Sequence, residues 1–284
     1  MQPFDHYTPE SLPEAVTLLT RLNGRARLLA GGTDLMLKMK AGLAVPQAII
    51  NIKRLPELKG ITFNPNTGLQ LGALTTLREL TRHPDIRRHY PCLAQTAGLM
   101  ASEQIRSVAT VGGNLCNAAP SADLAPPLMT LGGIARIAGP AGERRLPLDS
   151  FFVGPGQSAL QPGELLLGVV LPVPAGQTIY IKHAPRAFMD IAVVGVGVHL
   201  KITSDVCGLV KIVLGAVAPV PMRAKRAEAE LVGQSPTPER VERAAKLAAG
   251  ECSPIDDVRG SVWYRRRMVY VATRRALTAL IQED

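Results

Sequence analysis

The apolar positions at the start of the chain follow helical spacing and then strand spacing. Leucine, alanine and valine recur every three or four residues after Ser11, and Ser11 and Glu14 stand at the spacing of a capping box. Short uninterrupted apolar runs follow, the first of which ends at Gly31-Gly32. The patterns predict, in order, a helix at 12–22, a strand at 28–30, a helix at 34–40 and a strand at 48–52.

The middle of the chain combines one hairpin pattern with several helical ones. Strand-like runs at 61–63 and 69–71 flank the turn sequence Asn-Pro-Asn-Thr-Gly, which predicts a β-hairpin. Thr76 and Glu79 form a second capping-box spacing ahead of a helix. The remaining patterns predict helices at 91–100 and 124–131 and a short strand at Thr110-Val111 that ends at the next glycine pair.

The stretch Leu-Pro-Val-Pro-Ala-Gly-Gln at 171–177 is the best candidate for a domain boundary, because it combines proline and glycine with weak periodicity. Strand patterns and then helical patterns follow it, an order typical of an α+β domain. The predicted elements are strands at 178–182, 191–202 and 208–216 and helices at 238–249 and 261–282.

Composition narrows the class of protein. The chain is 46% hydrophobic and 19% charged, and no apolar run is long enough for a membrane span. The N-terminus lacks a basic region followed by an apolar core, so no signal peptide is predicted and a cytoplasmic location is expected. The cysteines and histidines show no metal-ligand or acid–base spacing, so neither a metal site nor a catalytic residue is predicted in this chain.

The net charge of +9 raises the possibility of nucleic-acid binding. Basic residues are spread along the chain, and only 4% of residues are aromatic, so platforms for base stacking are sparse and no nucleic-acid partner is predicted. The dense run Arg265-Arg266-Arg267 is interpreted as a solvated helix face or a subunit contact. A positive surface would also attract an anionic cofactor or an acidic partner.

The first candidate site is Leu29-Ala30-Gly31-Gly32-Thr33-Asp34-Leu35, which we call the first glycine segment. Glycine lets the backbone approach a ligand without an intervening Cβ, and consecutive N–H groups in such a turn can bind an anion. The alternative is a plain strand-to-helix turn in which Asp34 caps the helix, and these residues alone favour neither. Because the segment lacks the GxGxxG pattern, a Rossmann fold is not predicted.

The second candidate site, the second glycine segment, is Thr110-Val111-Gly112-Gly113-Asn114-Leu115-Cys116-Asn117. Its asparagines and the following Ser121 supply polar side chains, and Asp123 can accept hydrogen bonds from sugar hydroxyls. The alternative is a loop whose polar residues bond their own backbone, but their density beside two glycines favours a ligand site. Together the two segments can bind a diphosphate from two sides through backbone amides.

The sequences Ala-Gly-Gly-Thr-Asp-Leu at 30–35 and Thr-Val-Gly-Gly-Asn at 110–114 resemble the FAD-binding medium subunits of molybdenum hydroxylases. That family includes xanthine dehydrogenase, carbon monoxide dehydrogenase and 4-hydroxybenzoyl-CoA reductase. The resemblance runs nearly end to end and rests on both segments in this order and at this separation. It also includes Pro-Leu-Asp-Ser-Phe-Phe at 147–152, Gly-Glu-Leu-Leu at 163–166, and Arg186 followed by Asp190-Ile191-Ala192.

The resemblance implies an α+β protein with the vanillyl-alcohol-oxidase (PCMH) type of FAD-binding fold. Two small α/β subdomains, 1–55 and 56–176, would hold FAD against a C-terminal α+β domain, 177–284, with an antiparallel sheet and helices. The implied function is an electron-transfer subunit of a heterotrimeric enzyme. A large subunit would carry the molybdenum cofactor, a small subunit would carry two [2Fe-2S] clusters, and electrons would leave FAD to NAD, oxygen or a quinone. The implied assembly is a dimer of heterotrimers.

The resemblance also implies which residues bind the cofactor. Both glycine segments would contact the FAD diphosphate, and Thr110, Gly112, Gly113 and Asn114 would hold the cofactor from the second one. Asp123 would bind near the ribityl or ribose hydroxyls.

Three further positions match family residues close to the flavin. Leu166 or Leu167 would pack on the flavin region. Lys182 would lie near the pyrimidine end, where a positive charge stabilises a reduced anionic flavin; an exposed strand lysine is the alternative. Phe188 is a candidate for an aromatic residue over the flavin, with core packing as its alternative.

Two departures narrow the resemblance. Some relatives carry histidine and serine where this chain has Thr33 and Asp34, which argues against the carbon monoxide dehydrogenase branch. Only five residues separate Asn117 from Asp123, too few for the cysteine-rich insertion of the benzoyl-CoA-type reductases. The alternative function is a stand-alone flavin-dependent oxidoreductase of the same fold, which the lack of an evident catalytic residue disfavours.

Overall fold

A computed structural model describes residues 2–187 and 189–282, so the prediction for Phe188 lies outside the described residues. The first elements are β1 (Asp5–Tyr7), α1 (Leu12–Leu22), β2 (Ala26–Leu29), α2 (Leu35–Lys40) and β3 (Ala48–Asn51). The strands form a parallel sheet in the order β1-β3-β2. The predicted helix cap is confirmed, because the Ser11 hydroxyl accepts from the Glu14 N–H. Buried Ala15, Leu18 and Ile50 join α1 to the sheet.

The middle of the chain is a five-stranded antiparallel sheet with helices inserted between its strands. Its elements are β4 (Ile61–Asn64), β5 (Gly68–Gly72), α3 (Leu77–Arg82), α4 (Pro84–His89), α5 (Pro91–Gly98), α6 (Glu103–Arg106), α7 (Val111–Asn117), α8 (Ala125–Thr130), β6 (Ile134–Gly139), β7 (Gly142–Pro147), β8 (Phe152–Gly154), β9 (Gln157–Ser158) and β10 (Leu165–Leu171). The sheet order is β4-β5-β10-β6-β7, while β8 and β9 form a separate pair. The predicted hairpin and the Thr76–Glu79 capping box are confirmed.

The predicted strand at Thr110-Val111 is wrong. Thr110 is the N-cap of α7, and its hydroxyl accepts a hydrogen bond from the Gly113 N–H. An N-cap residue takes extended backbone angles, here φ −120° and ψ 157°, so its local conformation resembles that of a strand residue. Its only ladder contact within the described residues is one isolated bridge to Thr76. The glycine pair therefore lies in the first turn of a helix.

The C-terminal part consists of a second antiparallel sheet and three helices. Its elements are β11 (Gln177–His183), β12 (Val194–Thr203), β13 (Val206–Gly215), β14 (Met222–Arg223), α9 (Lys225–Leu231), α10 (Pro238–Glu251) and α11 (Val262–Gln282). The strands lie in the order β11-β12-β13-β14. The three longer strands and the two longer helices were predicted, whereas β14 and α9 were not.

The two faces of this second sheet have different partners. Val194, Val196 and Val198 point to one face and pack in a core that includes α10 and α11. Gly195 and Gly197 alternate with them and face the other way. A Cβ at Gly197 would lie 3.2 Å from the Pro126 backbone, so this glycine lets α8 pack directly on the sheet. That contact places the segment before α8 against β11.

Arg265 corrects the interpretation of the basic run as a solvated face. Its side chain is buried, and its guanidinium donates to the carbonyls of Val193 and Ala216 and to Asp257. Arg266 and Arg267 are exposed. No helix in the described part of the chain is both long and apolar enough to span a membrane. Nor do the described residues contain a cluster of three or more metal-ligating side chains.

Candidate cofactor site between two glycine segments

The first glycine segment leaves the carboxyl end of β2 and turns into α2. A Cβ at Gly31 would overlap the carbonyl oxygen of Val108, so the segment passes very close to the chain that leads into α7. Gly32 has φ +76°, a left-handed conformation that glycine adopts without strain. The fold therefore requires glycine at both positions, at Gly31 because of the close approach and at Gly32 because of the positive φ.

The backbone donors of the first glycine segment are free. Within residues 2–187 and 189–282, the N–H groups of Gly31, Gly32, Thr33 and Asp34 donate to no protein acceptor. Consecutive unbonded N–H groups beside a helix N-terminus attract an anion. The alternative in which Asp34 caps its own helix is wrong, because the Asp34 side chain makes no capping hydrogen bond to α2.

The second glycine segment has no such free amides at its start. The N–H groups of residues 111 and 112 donate to the carbonyls of Thr75 and Ala73, and those of residues 113 and 114 donate to the Thr110 hydroxyl and carbonyl. The expectation that the amide N–H groups of Gly112 and Gly113 bind an anion is therefore corrected, because both N–H groups already donate to protein acceptors. A Cβ at Gly112 would lie 2.7 Å from that of Ala73, so this glycine packs α7 against the end of β5.

Asn114 is the group of the second glycine segment that lacks a partner. Its Oδ1 atom is buried and accepts no hydrogen bond from any described residue. A buried acceptor without a hydrogen bond lowers the stability of the folded chain, so a ligand that supplies a hydroxyl or N–H donor would be stabilised here. Gly113 lies beside it, and a Cβ there would meet only the Thr110 hydroxyl, at 2.9 Å.

A side-chain bridge joins the two glycine segments. The Asn117 amide nitrogen donates to Asp34 Oδ1 at 3.1 Å, and Lys38 Nζ donates to Asn117 Oδ1 at 2.6 Å. Asn114 and Asn117 are three residues apart on α7 and share one face of that helix. The structure therefore brings together the free amides of the first segment and the unpartnered Asn114.

Asp123, two residues before α8, and Lys182 of β11 form a buried ion pair. Lys182 Nζ lies 2.8 Å from Asp123 Oδ2, and the two side chains are 8% and 9% exposed. The alternative of an exposed strand lysine is therefore wrong. The Tyr180 hydroxyl donates to Asp123 Oδ1, also at 2.8 Å. Tyr180 was not among the predicted site residues, although its position two residues before Lys182 on a strand places both side chains on one face.

The pKa values of this group follow from its burial. Burial raises the pKa of Asp123, and the Lys182 ammonium and the hydrogen bonds from Lys182 and Tyr180 partly oppose that rise. Burial, and then the Asp123 carboxylate, raise the pKa of Tyr180 well above 10, so its hydroxyl stays protonated and donates. A carboxylate has about four acceptor positions, so Asp123 can still accept from a ligand hydroxyl.

Leu166 and Leu167 lie on β10, and both are buried. Leu166 belongs to the core beneath the five-stranded sheet, where Leu115 of α7 also packs. Leu167 points to the opposite face and joins the core around α1. Both therefore pack among protein side chains, and their contact with a flavin stays a prediction.

The hydrogen-bonding groups that lack a protein partner in these two segments fit a dinucleotide. Four free amides suit a diphosphate, whose oxygens only accept, whereas the Asn114 carbonyl suits a hydroxyl or a ring N–H. FAD carries all of these groups on one molecule. The residues present therefore fit the cofactor that the sequence resemblance implied.

Comparison with known proteins gives two family matches that together cover most of the chain. Residues 2–174 match the FAD binding domain in molybdopterin dehydrogenase, and residues 179–280 match the CO dehydrogenase flavoprotein C-terminal domain. The sequence is 33% identical over 279 residues to the carbon monoxide dehydrogenase medium chain of Hydrogenophaga pseudoflava, covering 97% of this chain and 96% of that protein. It is 30% identical over 279 residues to the xanthine dehydrogenase FAD-binding subunit of Escherichia coli O157:H7, covering 97% and 95%.

A solved structure has the same fold. The chain superimposes on a chain of carbon monoxide dehydrogenase from Hydrogenophaga pseudoflava, in a form lacking the Mo-pyranopterin moiety, with a TM-score of 0.95 and 34% identity over 99% of both chains. The predicted α+β, PCMH-type fold is confirmed. Thr33 and Asp34 do not separate this chain from the carbon monoxide dehydrogenase branch, since its medium chain is among the similar proteins.

Proposed function

Because this chain belongs to the family of FAD-binding domains of molybdopterin dehydrogenases, we propose that it is the FAD-binding electron-transfer subunit of a molybdenum hydroxylase. When bound, FAD supplies a redox group that accepts electrons from [2Fe-2S] clusters of a partner and delivers them to NAD, oxygen or a quinone. The chain's own task is to bind and orient that group.

The observation that carries the proposal is the row of free amides held beside an unpartnered asparagine. The N–H groups of residues 31–34 would bind the diphosphate, and Thr33 would add its hydroxyl. Asn114 Oδ1 would accept from a hydroxyl or ring N–H of the cofactor. Thr110 and Gly113 would act through the helix turn that orients Asn114, and Gly112 through its close packing on Ala73.

Asp123 and Lys182 would serve the flavin end of the site. Lys182 Nζ uses one of its three donors on Asp123, so two remain for the pyrimidine end of the ring. Because the carboxylate balances its charge, the ammonium would act mainly as an oriented donor. Asp123 would accept from a ribityl or ribose hydroxyl, while Leu166 or Leu167 would form the apolar floor nearby.

The assembly and domain division are part of the same proposal. The similar proteins from Hydrogenophaga pseudoflava and Escherichia coli are described as a medium chain and a FAD-binding subunit, which supports partners for this chain. We propose a dimer of heterotrimers with a large subunit carrying the molybdenum cofactor and a small subunit carrying two [2Fe-2S] clusters. We also propose domains 1–55, 56–176 and 177–284, a division supported by the sheets, since the strands of each sheet lie within one of these ranges. The four free cysteines support the proposal of a reducing, cytoplasmic location.

The proposal is tested by purifying the full chain and titrating it with FAD. We expect one FAD per chain, and Asn114→Ala should weaken binding about threefold to tenfold because one hydrogen bond is lost. The FAD-free Asn114→Ala variant should be no less stable, since it removes an unsatisfied buried acceptor. Asn66→Ala, in the exposed hairpin turn, is the control.

Two results would contradict this proposal. A wild-type chain that binds no FAD would remove the flavin function altogether. A chain that binds FAD and oxidises an organic substrate by itself, and is purified from its source without molybdenum and iron–sulfur subunits, would favour a stand-alone flavoenzyme.

A further inference from the structure

We propose that Tyr180 is a positioning residue for the flavin end of the site and that it sets the charge which Lys182 presents to the cofactor. It acts through Asp123, which its hydroxyl holds in place as a carboxylate, so that the Lys182 ammonium stays balanced. This inference rests on the proposed FAD function and deepens it, because it assigns control of the reduction potential to a residue that need not touch the cofactor.

A glycine on the neighbouring strand makes room for the Tyr180 side chain. Gly195 of β12 pairs with Lys182 of β11 and is therefore the diagonal neighbour of Tyr180 on the same sheet. A Cβ at Gly195 would lie 2.5 Å from the Tyr180 hydroxyl oxygen and 3.1 Å from its ring carbon Cε2. Because glycine has no Cβ, the tyrosine ring lies close to the strand while its hydroxyl reaches Asp123.

Two donors from β11 hold the Asp123 carboxylate, one at each oxygen. The Tyr180 hydroxyl donates to Oδ1 and Lys182 Nζ donates to Oδ2, both at 2.8 Å. Rotation of the carboxylate would break one of these charge-assisted hydrogen bonds. Tyr180 therefore fixes the side chain whose negative charge balances Lys182.

Tyr180 also favours the ionised form of Asp123. Burial raises the pKa of this carboxyl, whereas the Lys182 ammonium and the hydrogen bonds from Lys182 and Tyr180 lower it, and these two are the titratable groups that act on it in the described part of the chain. Cys92 of α5 acts on Tyr180, but burial raises the pKa of its thiol to about 12, so it stays neutral. Without the Tyr180 hydroxyl, Asp123 would take up a proton at a higher pH.

Protonation of Asp123 would change the charge that faces the cofactor. It would leave the Lys182 ammonium unbalanced, and an unbalanced positive charge binds a reduced, anionic flavin more tightly than an oxidised one. By keeping the carboxylate ionised, Tyr180 keeps the reduction potential of bound FAD low. A tyrosine that only filled space would not give this potential a dependence on Asp123.

The test measures the reduction potential of FAD bound to the full chain, by equilibration with a redox dye at a series of pH values. We expect Tyr180→Phe to raise the pKa of Asp123 by about one unit, the tenfold change that one hydrogen bond to a charged group gives. Between the two pKa values the potential of the variant should lie above that of wild type, by about 30 mV for a tenfold preference for reduced FAD. At higher pH the two potentials should agree.

Two further variants show whether Tyr180 acts through Asp123. Asp123→Asn removes the titrating carboxyl, so adding Tyr180→Phe to it should leave the potential unchanged at every pH. Tyr270→Phe is the matched control, because the Tyr270 hydroxyl also donates to a carboxylate, that of Glu242, but between α10 and α11. Its potential should equal that of wild type.

The inference is overturned if Tyr180→Phe leaves the potential unchanged at every pH or lowers it, or if it has the same effect in the Asp123→Asn background. Should Tyr180→Phe fail to fold, Gly195→Ala carries the same comparison, since its Cβ would displace the hydroxyl, and Gly250→Ala is its control. A wild-type chain that binds no FAD would overturn the proposed function and this inference together, whereas a wild-type chain that binds FAD confines any failure to Tyr180.

Discussion

Replacing Lys182 by methionine would leave the Asp123 carboxylate buried without its countercharge. The two side chains are 8% and 9% exposed, and the atoms that pair lie 2.8 Å apart, so solvent screens the interaction little. Breaking such a buried pair by removing one partner costs about 3–5 kcal/mol of the free energy of unfolding. The Tyr180 hydroxyl still donates to the carboxylate, and protonation of Asp123 can relieve part of the loss.

The dependence of this loss on pH has a definite sign. Burial raises the folded-state pKa of Asp123 above its ordinary value of 3.8, and removal of Lys182 raises it further. A carboxyl whose folded pKa is raised binds protons more tightly in the folded state, so stability falls as pH rises through that pKa. The deficit of Lys182→Met relative to wild type should therefore grow as the pH is raised, and it should not grow as the pH is lowered.

The assay is thermal unfolding of the FAD-free protein followed by circular dichroism across a range of pH values. Lys201→Met is the matched control, because Lys201 is an exposed lysine on the neighbouring strand β12. Its effect should stay within about 0.5 kcal/mol at every pH. If Lys182→Met is no less stable than the control near pH 8, or if its deficit does not change with pH, the buried pair does not have the role assigned to it.

Two further substitutions test the packing around the site. Gly31→Ala should abolish FAD binding and destabilise the chain by about 1–3 kcal/mol, because its Cβ would overlap the Val108 carbonyl; Gly250→Ala, with open space around it, should do neither, as FAD titration and thermal midpoints will show. Arg265→Met should lower the free energy of unfolding by about 3 kcal/mol in urea titrations, since it leaves the carbonyls of Val193 and Ala216 without their donor and removes the ion pair with Asp257, whereas the exposed Arg267→Met should have little effect.

Local sequence was sufficient where the signal and the structure lie within a few residues of each other. The Thr76–Glu79 capping box and the 61–71 hairpin need only neighbouring residues, and both are present. Thr110 shows the limit of such signals, because a strand residue and an N-cap share extended backbone angles. The buried run Leu165–Leu171, which became the central strand β10, has no period that separates strand from helix, and it was not predicted.

The sequence by itself determined the two glycine segments, the order of the main elements and, through resemblance to a family, the expected cofactor. Only the tertiary structure decided which backbone amides are free, because the acceptors for residues 111 and 112 come from Ala73 and Thr75 on another segment. It also decided that the Asp34 side chain accepts from Asn117 and caps no amide of α2, and that Tyr180 joins the Asp123–Lys182 pair. A hydrogen bond joins whichever donor and acceptor the fold brings within about 3 Å, and that proximity is not recorded in the spacing of residues along the chain.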